Sequence, residues 1–460
     1  MPRLSRGLLA ARGAPAEVAP VRIVHLGLGA FHRAHQAWYT ALADDGGQWG
    51  IAAFTGRSAD IADRLRPQQG VYTLVERGRD GDRMQALTGI SHVHTADDHA
   101  AWARLLAAPT TSVVTLTVTE AGYASRLGGG LDRANPQVAS DLSRVRIDGI
   151  AARPVTPVGR LVVGLEHRRR RGSGPLAIVP CDNLPGNGEV LRSAVTEFAA
   201  QALPDLARAL PETASFVSTS VDRITPAVTD RLGAEVREAM GWWDAAPVAT
   251  EPFSDWTLCG RFPAGRPCWE SAGALFVDDI EPYELRKLWL LNGAHSMLAC
   301  LGLLRGHATI ADAMDDRVCA EAIRAWWADA VRHLDPALHA DHYCSALVER
   351  FHNPRIEHRL GQISRDGLAK LTVRIAPVAV RERRAGRAAG GGAQAVGCWI
   401  AAAGERLLGE DARGGGVQRA LSAADPVRAM VAALDASLAA DDGFVGAVRG
   451  WVRRRGAAEI

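Results

Sequence analysis

The chain has 460 residues, of which 47% are hydrophobic and 23% are charged, and its formal net charge is +2. This length and composition predict a globular protein of two or three domains. The nearly balanced charge gives no electrostatic basis for nucleic-acid binding, and no run of about 18 apolar residues predicts a membrane span. Seven cysteines without C-x-x-C or metal-finger spacing indicate free thiols, and we expect a cytoplasmic protein.

The first half of the chain alternates short apolar runs with helical stretches. Such runs, each ending near turn residues, predict strands at Val21–Leu26, Gly50–Thr55, Ser112–Thr119, Leu176–Pro180 and Phe216–Ser220. Strands separated by helices are typical of a parallel, doubly wound α/β sheet. We therefore predict an α/β domain over residues 1–278.

The second half has a different hydrophobic pattern: apolar residues recur at helical spacing from Ile280 to about Glu349. The glycine- and alanine-rich stretch 385–394 predicts a flexible loop, and helices are predicted again between Asp425 and Arg453. We therefore predict a mainly helical domain over 279–460. In the first domain, the run Arg168–Arg171 before Gly172 predicts a solvated helix end with a glycine stop.

The turn Gly27-Leu28-Gly29 directly follows the first predicted strand. Two glycines there permit a tight turn and close approach of the backbone to a pyrophosphate on the following helix N-terminus. His32 replaces the third glycine of the usual fingerprint, so an ordinary strand–helix turn is the alternative. The position after the first strand favours a dinucleotide site, whose candidate contacts are Gly27, Gly29, Phe31 and Arg33.

The end of the second predicted strand, Thr55-Gly56-Arg57-Ser58, is where such a fold binds the adenosine ribose. An acidic side chain there would favour NAD, and none is present. Arg57 and Ser58 are candidate partners for the 2′-phosphate of NADP, although Arg57 facing solvent is an equal alternative. The sequence leaves the choice between NAD and NADP open.

Two polar, turn-rich segments follow later strands, at Cys181–Gly188 and Ser220–Pro226. The carboxyl ends of the strands are where open α/β sheets bind their ligands. An ordinary turn is the alternative for the first segment, and in the second Asp222 with Arg223 could form only a local ion pair.

Lysine and asparagine are scarce, since only Lys287 and Lys370 occur among 53 basic residues and the chain has five asparagines. Arginine stays protonated in proteins, whereas a buried lysine can act as a base. On an α-helix with 100° per residue, Glu284, Lys287, Asn292 and His295 lie within an arc of about 140°. A polar stripe in an otherwise apolar helix predicts a site, with satisfied core polar groups as the alternative.

Five ordered motifs run along the chain: G-x-G-A-F-H-R-A-H from Gly27, T-x-T-E-x-G-Y from Thr117, C-D-N-x-x-x-N-G from Cys181, V-D-R-I-T-P from Val221 and K-x-x-x-x-N-x-x-H from Lys287. With them the chain resembles the long-chain polyol (mannitol 2-) dehydrogenase family, which includes fructuronate/mannonate oxidoreductases. The resemblance implies a Rossmann-type N-terminal domain, a largely helical C-terminal domain, no zinc and a lysine general base.

The resemblance also implies a role for each matching side chain. Lys287 would take the hydroxyl proton, while Asn183 and Asn292 would stabilise the developing alkoxide. His295 would orient the substrate or the lysine. The remaining matches are two carboxylates that would connect the lysine to solvent and a ligand of the substrate hydroxyls: Glu284, Glu120 and Asp222.

The chain departs from the family pattern near the far end of the expected substrate. Gln362 stands where the family usually has arginine, with Arg365 and Lys370 as the remaining candidate substrate contacts. We expect an NAD(P)-dependent polyol dehydrogenase of the mannitol/fructose type. A fructuronate/mannonate oxidoreductase is the alternative, and a non-catalytic dinucleotide-binding regulator a minor one. The expected partner is a small polyol or ketose, with no nucleic acid, membrane or metal; a monomer is compatible with the sequence, which leaves the oligomeric state open.

Overall fold

The computed structural model describes residues 1–118, 120–123, 130–412 and 414–456, except the side chains at 120, 121, 230, 455 and 456. The chain divides into two compact units, Met1–Glu281 and Pro282–Ile460. The strands of the described residues all lie in the first unit: β1 Val21–Leu26, β2 Gly50–Phe54, β3 Tyr72–Gly78, β4 Gly81–Leu87, β5 Ile90–His94, β6 Val113–Leu116, β7 Leu176–Pro180, β8 Ala214–Phe216, β9 Ser218–Asp222, β10 Val248–Thr250, β11 Asp255–Cys259 and β12 Leu275–Phe276.

Six parallel strands form the central sheet in the order β5-β2-β1-β6-β7-β8. Alternate residues of β7 enter two different cores, with Leu176 and Ile178 on one face and Ala177 and Val179 on the other. Burial on both faces is typical of a parallel sheet covered by helices. The predicted doubly wound α/β sheet is confirmed.

The predicted strand Phe216–Ser220 is wrong as one element. The chain breaks at Val217, so that β8 completes the central sheet while β9 pairs antiparallel with β11. The two small sheets, β10-β3-β4 and β12-β11-β9, were not predicted. Each of them joins strands that lie far apart in the sequence.

Most helices of the first unit bury apolar residues in the two cores of the central sheet, whereas the first and the last of them pack beside β3. The helices are α1 Arg6–Ala11, α2 Ala30–Ala34, α3 Gln36–Leu42, α4 Asp60–Leu65, α5 His99–Leu106, α6 Pro136–Asp148, α7 Pro157–Arg171, α8 Asn187–Ala202, α9 Pro204–Thr213 and α10 Asp230–Met240, with 3-10 turns at Gly46–Gln48, Arg66–Gln68, Glu120–Tyr123, Gly149–Ala151 and Trp269–Ala272. Gly172 ends α7 with φ +67°, as predicted.

Arg168, on the last turn of α7, is buried, so the prediction of a fully solvated helix end is wrong. Its guanidinium donates to the carbonyls of Leu106, Gly174 and three other residues. These bonds satisfy backbone carbonyls at the end of α5 and in the turn before β7. A lysine could not make all of them, because it lacks the planar fork of donors.

The second unit is mainly helical, as predicted. Its helices are α11 Glu281–Arg286, which begins one residue before it, a π-helix Lys287–Asn292, α12 Gly293–Leu304, α13 Ile310–Asp315, α14 Arg317–Val331, α15 Ala340–Phe351, α16 Leu360–Ile363, α17 Gly367–Arg374, α18 Ala376–Arg384, α19 Gly390–Gly404, α20 Gly414–Leu421, α21 Pro426–Leu434, α22 Ala436–Ala440 and α23 Asp442–Gly456, with a 3-10 turn at Pro336–Leu338. The predicted loop over 385–394 is wrong from Gly390 onward, where α19 begins.

Within the described ranges, no helix combines the length and apolar character needed to cross a bilayer.

Candidate cofactor and catalytic sites

The first glycine of the turn after β1 is required by the fold itself. Gly27 has φ +111°, and a Cβ there would collide with the carbonyl oxygen of Thr117. The Thr117 hydroxyl donates to the Gly27 carbonyl at 2.7 Å, and the amides of Gly27 and Leu28 donate to the Phe54 carbonyl at 2.9 and 2.8 Å. The carboxyl ends of β1, β2 and β6 are thereby tied together.

The second glycine of the turn is not required by the surrounding protein. Gly29 has an ordinary φ of −133°, and a Cβ there would touch only the Gly27 carbonyl oxygen, at 3.6 Å. The missing side chain therefore keeps the backbone open towards a ligand. A dinucleotide pyrophosphate needs such an approach, and it binds where the strand order of the sheet reverses, which here is at β1.

The other predicted cofactor contacts have different surroundings. Phe31 is half-buried and stacks on His35 with ring centroids 4.9 Å apart. Arg33 is buried, and its guanidinium donates to the carbonyls of Gly29, at 3.1 Å, and Ala246. Arg33 thus stabilises the turn from the buried side by bonding to its backbone. The sequence did not predict this structural role. Arg57 is exposed at the end of β2.

Two histidines stack beside the glycine turn. The rings of His25 and His32 lie 3.3 Å apart, and both side chains are fully buried. The ring nitrogens of His25 contact the hydroxyls of Thr115, at 2.8 Å, and Thr117, at 3.1 Å. Burial lowers the pKa of His25 to about 3, and burial together with the neighbouring His25 and Arg33 lowers the pKa of His32 well below its usual value. Both rings are therefore neutral at pH 7.

This pair predicts a loss of stability in mild acid. A histidine with a lowered folded pKa stabilises the fold above its unfolded pKa of about 6.5, and that contribution is lost as the pH falls towards the folded pKa. At pH 5 the titration of His25 lowers the free energy of unfolding by about 2 kcal/mol. We expect His32→Phe, which keeps a flat ring but does not titrate, to lose less melting temperature between pH 7 and pH 5 than the unaltered protein. An exposed-site control, His342→Gln, should lose as much as the unaltered protein; equal losses in all three would contradict the assignment.

The segment after β7 holds one exposed asparagine among buried polar groups. Asp182 accepts hydrogen bonds from the Tyr123 hydroxyl and from the Leu184 amide, at 2.8 Å. Asn187 is buried, accepts from the Thr219 amide at 2.8 Å and donates to the Thr219 carbonyl at 3.1 Å. These contacts fix the loop and leave Asn183 on its exposed side.

At the end of β9, Asp222 and Arg223 are both buried. Arg223 forms an ion pair with Glu76 at 2.6 Å and donates to the carbonyls of Ala34, at 2.6 Å, and Glu251, at 3.1 Å. Arg223 therefore joins β9 to β3 and to the end of α2. The predicted substrate ligand Asp222 lies at the same strand end.

In the second unit, the predicted catalytic helix contains a π-helix over Lys287–Asn292. The assumption of a uniform 100° step is wrong across it, because each π-turn closes an i to i+5 hydrogen bond. The indoles of Trp326 and Trp327 on α14 donate to the carbonyls of Trp289 and Leu290, both at 2.8 Å. Long-range bonds to the backbone therefore hold the π-helix, at whose two ends lie the half-buried Lys287 and Asn292.

His295 follows one turn later on α12 and is buried against the rings of Phe351, at 5.0 Å, and His358, at 4.7 Å. Burial lowers its pKa well below the usual value, as do His358 and the cations Arg350, Arg374 and Lys370. Its imidazole is therefore neutral at pH 7. Its Nε2 atom has no hydrogen-bond partner among the residues described.

Cations of α17 lie near this helix. Arg374 donates to the Asn292 carbonyl at 3.3 Å and to the Ser296 hydroxyl at 3.1 Å, and burial lowers its pKa to about 10. Lys370 donates to the Ile363 carbonyl at 2.9 Å, and burial lowers its pKa too. Arg374 was missed, because nothing in its local sequence separates it from the other arginines of the chain.

The remaining predicted residues differ in exposure. Glu284 is half-buried on α11, and Arg365 is exposed between α16 and α17. The side chain of Glu120 lies outside the part of the chain that the structure describes.

Comparison with known proteins identifies both units. Residues 21–271 match the mannitol dehydrogenase Rossmann domain, and residues 279–445 match the mannitol dehydrogenase C-terminal domain. The chain is 37% identical to D-mannonate oxidoreductase of Escherichia coli and 33% identical to mannitol 2-dehydrogenase of Aspergillus clavatus, covering 77% of this chain in each case and 74% and 72% of the relatives.

A solved structure gives the same family. Mannitol 2-dehydrogenase of Pseudomonas fluorescens, in a ternary complex with NAD and D-mannitol, is 32% identical with a TM-score of 0.78, over 96% of this chain and 93% of that one. Both family models together cover most of the sequence. The chain therefore belongs to the mannitol dehydrogenase family of NAD-dependent oxidoreductases.

Proposed function

We propose that this protein oxidises a secondary alcohol of a linear polyol to the ketone, in the manner of mannitol to fructose, with NAD as acceptor and Lys287 as general base. Cofactor binding is assigned to residues 1–278 and the base to residues 279–460. The open backbone at Gly29, which the protein does not fill, supports the cofactor assignment.

The observation that carries the proposal is the π-helix between Lys287 and Asn292. π-Turns are rare and frequently mark functional sites. This one begins at one of only two lysines in the chain and ends at one of five asparagines. Two tryptophan indoles from α14 donate hydrogen bonds to its carbonyls. The fold therefore stabilises a π-helix in place of the regular i to i+4 hydrogen bonds of an α-helix.

In this proposal each side chain has a task suited to its chemistry. A lysine amine accepts a proton only when it is neutral, so Lys287 would take the hydroxyl proton in that state. The carboxamide N–H groups of Asn183 and Asn292 would donate to the same oxygen as negative charge develops on it. His295, neutral because of its burial, would hydrogen-bond to a substrate hydroxyl. NAD, held at the turn Gly27–Gly29, would supply the acceptor for the hydride.

We propose further that the reaction needs no zinc. Among the described residues, one group of three possible metal ligands occurs: His307, Asp316 and Cys319. The Asp316 carboxylate there already binds the Arg305 guanidinium and the Val318 amide. The general base of the proposal is in any case a side chain, so a metal-bound hydroxide is not required.

An aldonate of the mannonate type is the second candidate substrate. Lys370, Arg350 and Arg374 all act on the buried His295, and their positive charges would attract a carboxylate. The 37% identity to D-mannonate oxidoreductase also supports it. The deciding experiment measures kcat/KM for D-mannitol, D-arabinitol and D-mannonate, each with NAD and with NADP. A preference for D-mannonate would replace the polyol proposal, and no turnover of any of them would overturn both.

Cofactor preference gives a further prediction at the end of β2. Gly56 is exposed, and a Cβ there would meet open space, so Gly56→Asp should fold normally. The new carboxylate should repel the 2′-phosphate of NADP by on the order of 1 kcal/mol or more and raise the NAD-to-NADP ratio of kcat/KM. Gly56→Asn is the matched uncharged control. An unchanged ratio in the aspartate variant would place the ribose elsewhere.

A further inference from the structure

A cavity of about 220 Å³ lies between α5, the segment 149–154 and α7 of the first unit. Its basic lining residues are His99, Arg153, Arg160 and His167, and none of the aspartates or glutamates in the described ranges lines it. Neither the turn Gly27–Gly29 nor the strand end Thr55–Ser58 contributes to it. The loops assigned to the cofactor therefore do not line the cavity, although the Arg160 guanidinium lies 5.8 Å from the ring centroid of Phe54, the last residue of β2.

Arg160 is the central group of this cavity. It is only 2% exposed, and its guanidinium lies over the ring of Trp102, 4.8 Å from the centroid. Among the residues that the structure describes, its Nε and Nη2 atoms have no hydrogen-bond partner, and no carboxylate there forms an ion pair with it. A buried cation without a paired anion is unfavourable, so a ligand that supplies negative charge would be stabilised here.

The neighbouring charges also favour an anion. Burial lowers the pKa of His99, and the next causes are Arg160 and Arg153, so both guanidinium groups act on this imidazole. Two acids lie near these groups. Asp97, which acts on both Arg160 and His99, is exposed, so solvent screens its charge. The buried Asp141 carboxylate already accepts from the amides of Val155 and Thr156 and from the Thr156 hydroxyl.

We propose that this cavity binds a phosphate, either free or as the monoester of a small metabolite. Guanidinium groups bind phosphate oxygens by charge-assisted, often bidentate hydrogen bonds. The apolar part of the lining, which includes Trp102, Ile150 and Val163, would contact the organic part of a monoester. The site would then be occupied independently of the dinucleotide.

The test measures binding of inorganic phosphate and of glycerol 3-phosphate by ³¹P NMR line broadening, at constant ionic strength set with chloride. Arg160→Met keeps an apolar chain over Trp102 but removes the charge, and should weaken binding more than tenfold. Arg153→Ala, at an exposed residue of the rim, should weaken it several-fold. Arg104→Ala, at an exposed residue of α5 outside the lining, is the matched control and should bind like the unaltered protein.

The two ligands distinguish the source of the phosphate: tighter glycerol 3-phosphate binding supports a monoester, and equal binding supports the free anion. If Arg160→Met does not fold, Arg153→Ala and His99→Ala decide by the same comparison. Saturating NAD should leave glycerol 3-phosphate binding unchanged. Competition by NAD, no binding above the chloride background, or equal binding by Arg153→Ala and Arg104→Ala would overturn the proposal.

Discussion

Turnover of the Lys287→Ala variant should fall by about 10²–10⁴-fold or more, because a positioned general base contributes that much to proton transfer. Lys287→Arg should be nearly as inactive, since arginine keeps its proton at any pH at which the protein is folded. Single-turnover rates with the best substrate of the screen measure the chemical step, and quenching of tryptophan fluorescence by NAD measures cofactor binding, which should be unchanged.

The other lysine supplies the control for this experiment. Lys370 is a candidate substrate contact, not a base, and its bond to the Ile363 carbonyl is one that arginine can also make, so Lys370→Arg should act on KM and leave the single-turnover rate within a few-fold of the unaltered protein. An active Lys287→Arg variant would exclude Lys287 as the base. Equal losses in Lys287→Arg and Lys370→Arg would point to a general intolerance of arginine in this unit.

Replacing Asn183 or Asn292 with alanine should cost about 2.7–4 kcal/mol in the chemical step, which corresponds to a roughly 10²–10³-fold loss of kcat. The reason is that a donor aimed at a developing oxyanion acts more strongly in the transition state than in the ground state. Measured kcat should therefore fall while KM changes little. A change confined to KM would contradict the oxyanion role.

Asn187 offers a matched control in the same loop as Asn183. It is buried, and its carboxamide bonds to the backbone of Thr219, so Asn187→Ala leaves a buried amide and carbonyl without partners. We expect a lower melting temperature from that variant, because unsatisfied buried groups are destabilising by about 1–3 kcal/mol. Asn183→Ala, at an exposed site, should lower the melting temperature less than Asn187→Ala.

The parts of the fold that local sequence decides were predicted correctly. β1 and β7 have the predicted bounds because each is an apolar run with turn residues at both sides. The stretch Phe216–Ser220 was predicted as one strand, because its division at Val217 depends on pairing between β9 and β11, whose residues are far apart in the chain. Long-range pairing of this kind leaves no local signal.

The same limit applies to the candidate site. The sequence singled out Lys287, Asn292 and His295 but gave them α-helical geometry, since the π-helix depends on Trp326 and Trp327 of another helix. The glycines of 390–392 were predicted as loop. They begin α19 instead, because a Cβ at Gly391 would press on the backbone of Trp326 at 2.6 Å, and only glycine permits this close packing of helices.

The π-helix also sets the angle between Lys287 and Asn292 around the helix axis. Because a π-turn needs more residues than an α-turn, each step turns the chain by roughly 80° instead of about 100°. Five such steps place Lys287 and Asn292 roughly 40° apart, whereas five α-helical steps would place them about 140° apart. Closing the same six residues as an α-helix would therefore swing the lysine away from the asparagine by roughly 100°, without the change of a single residue.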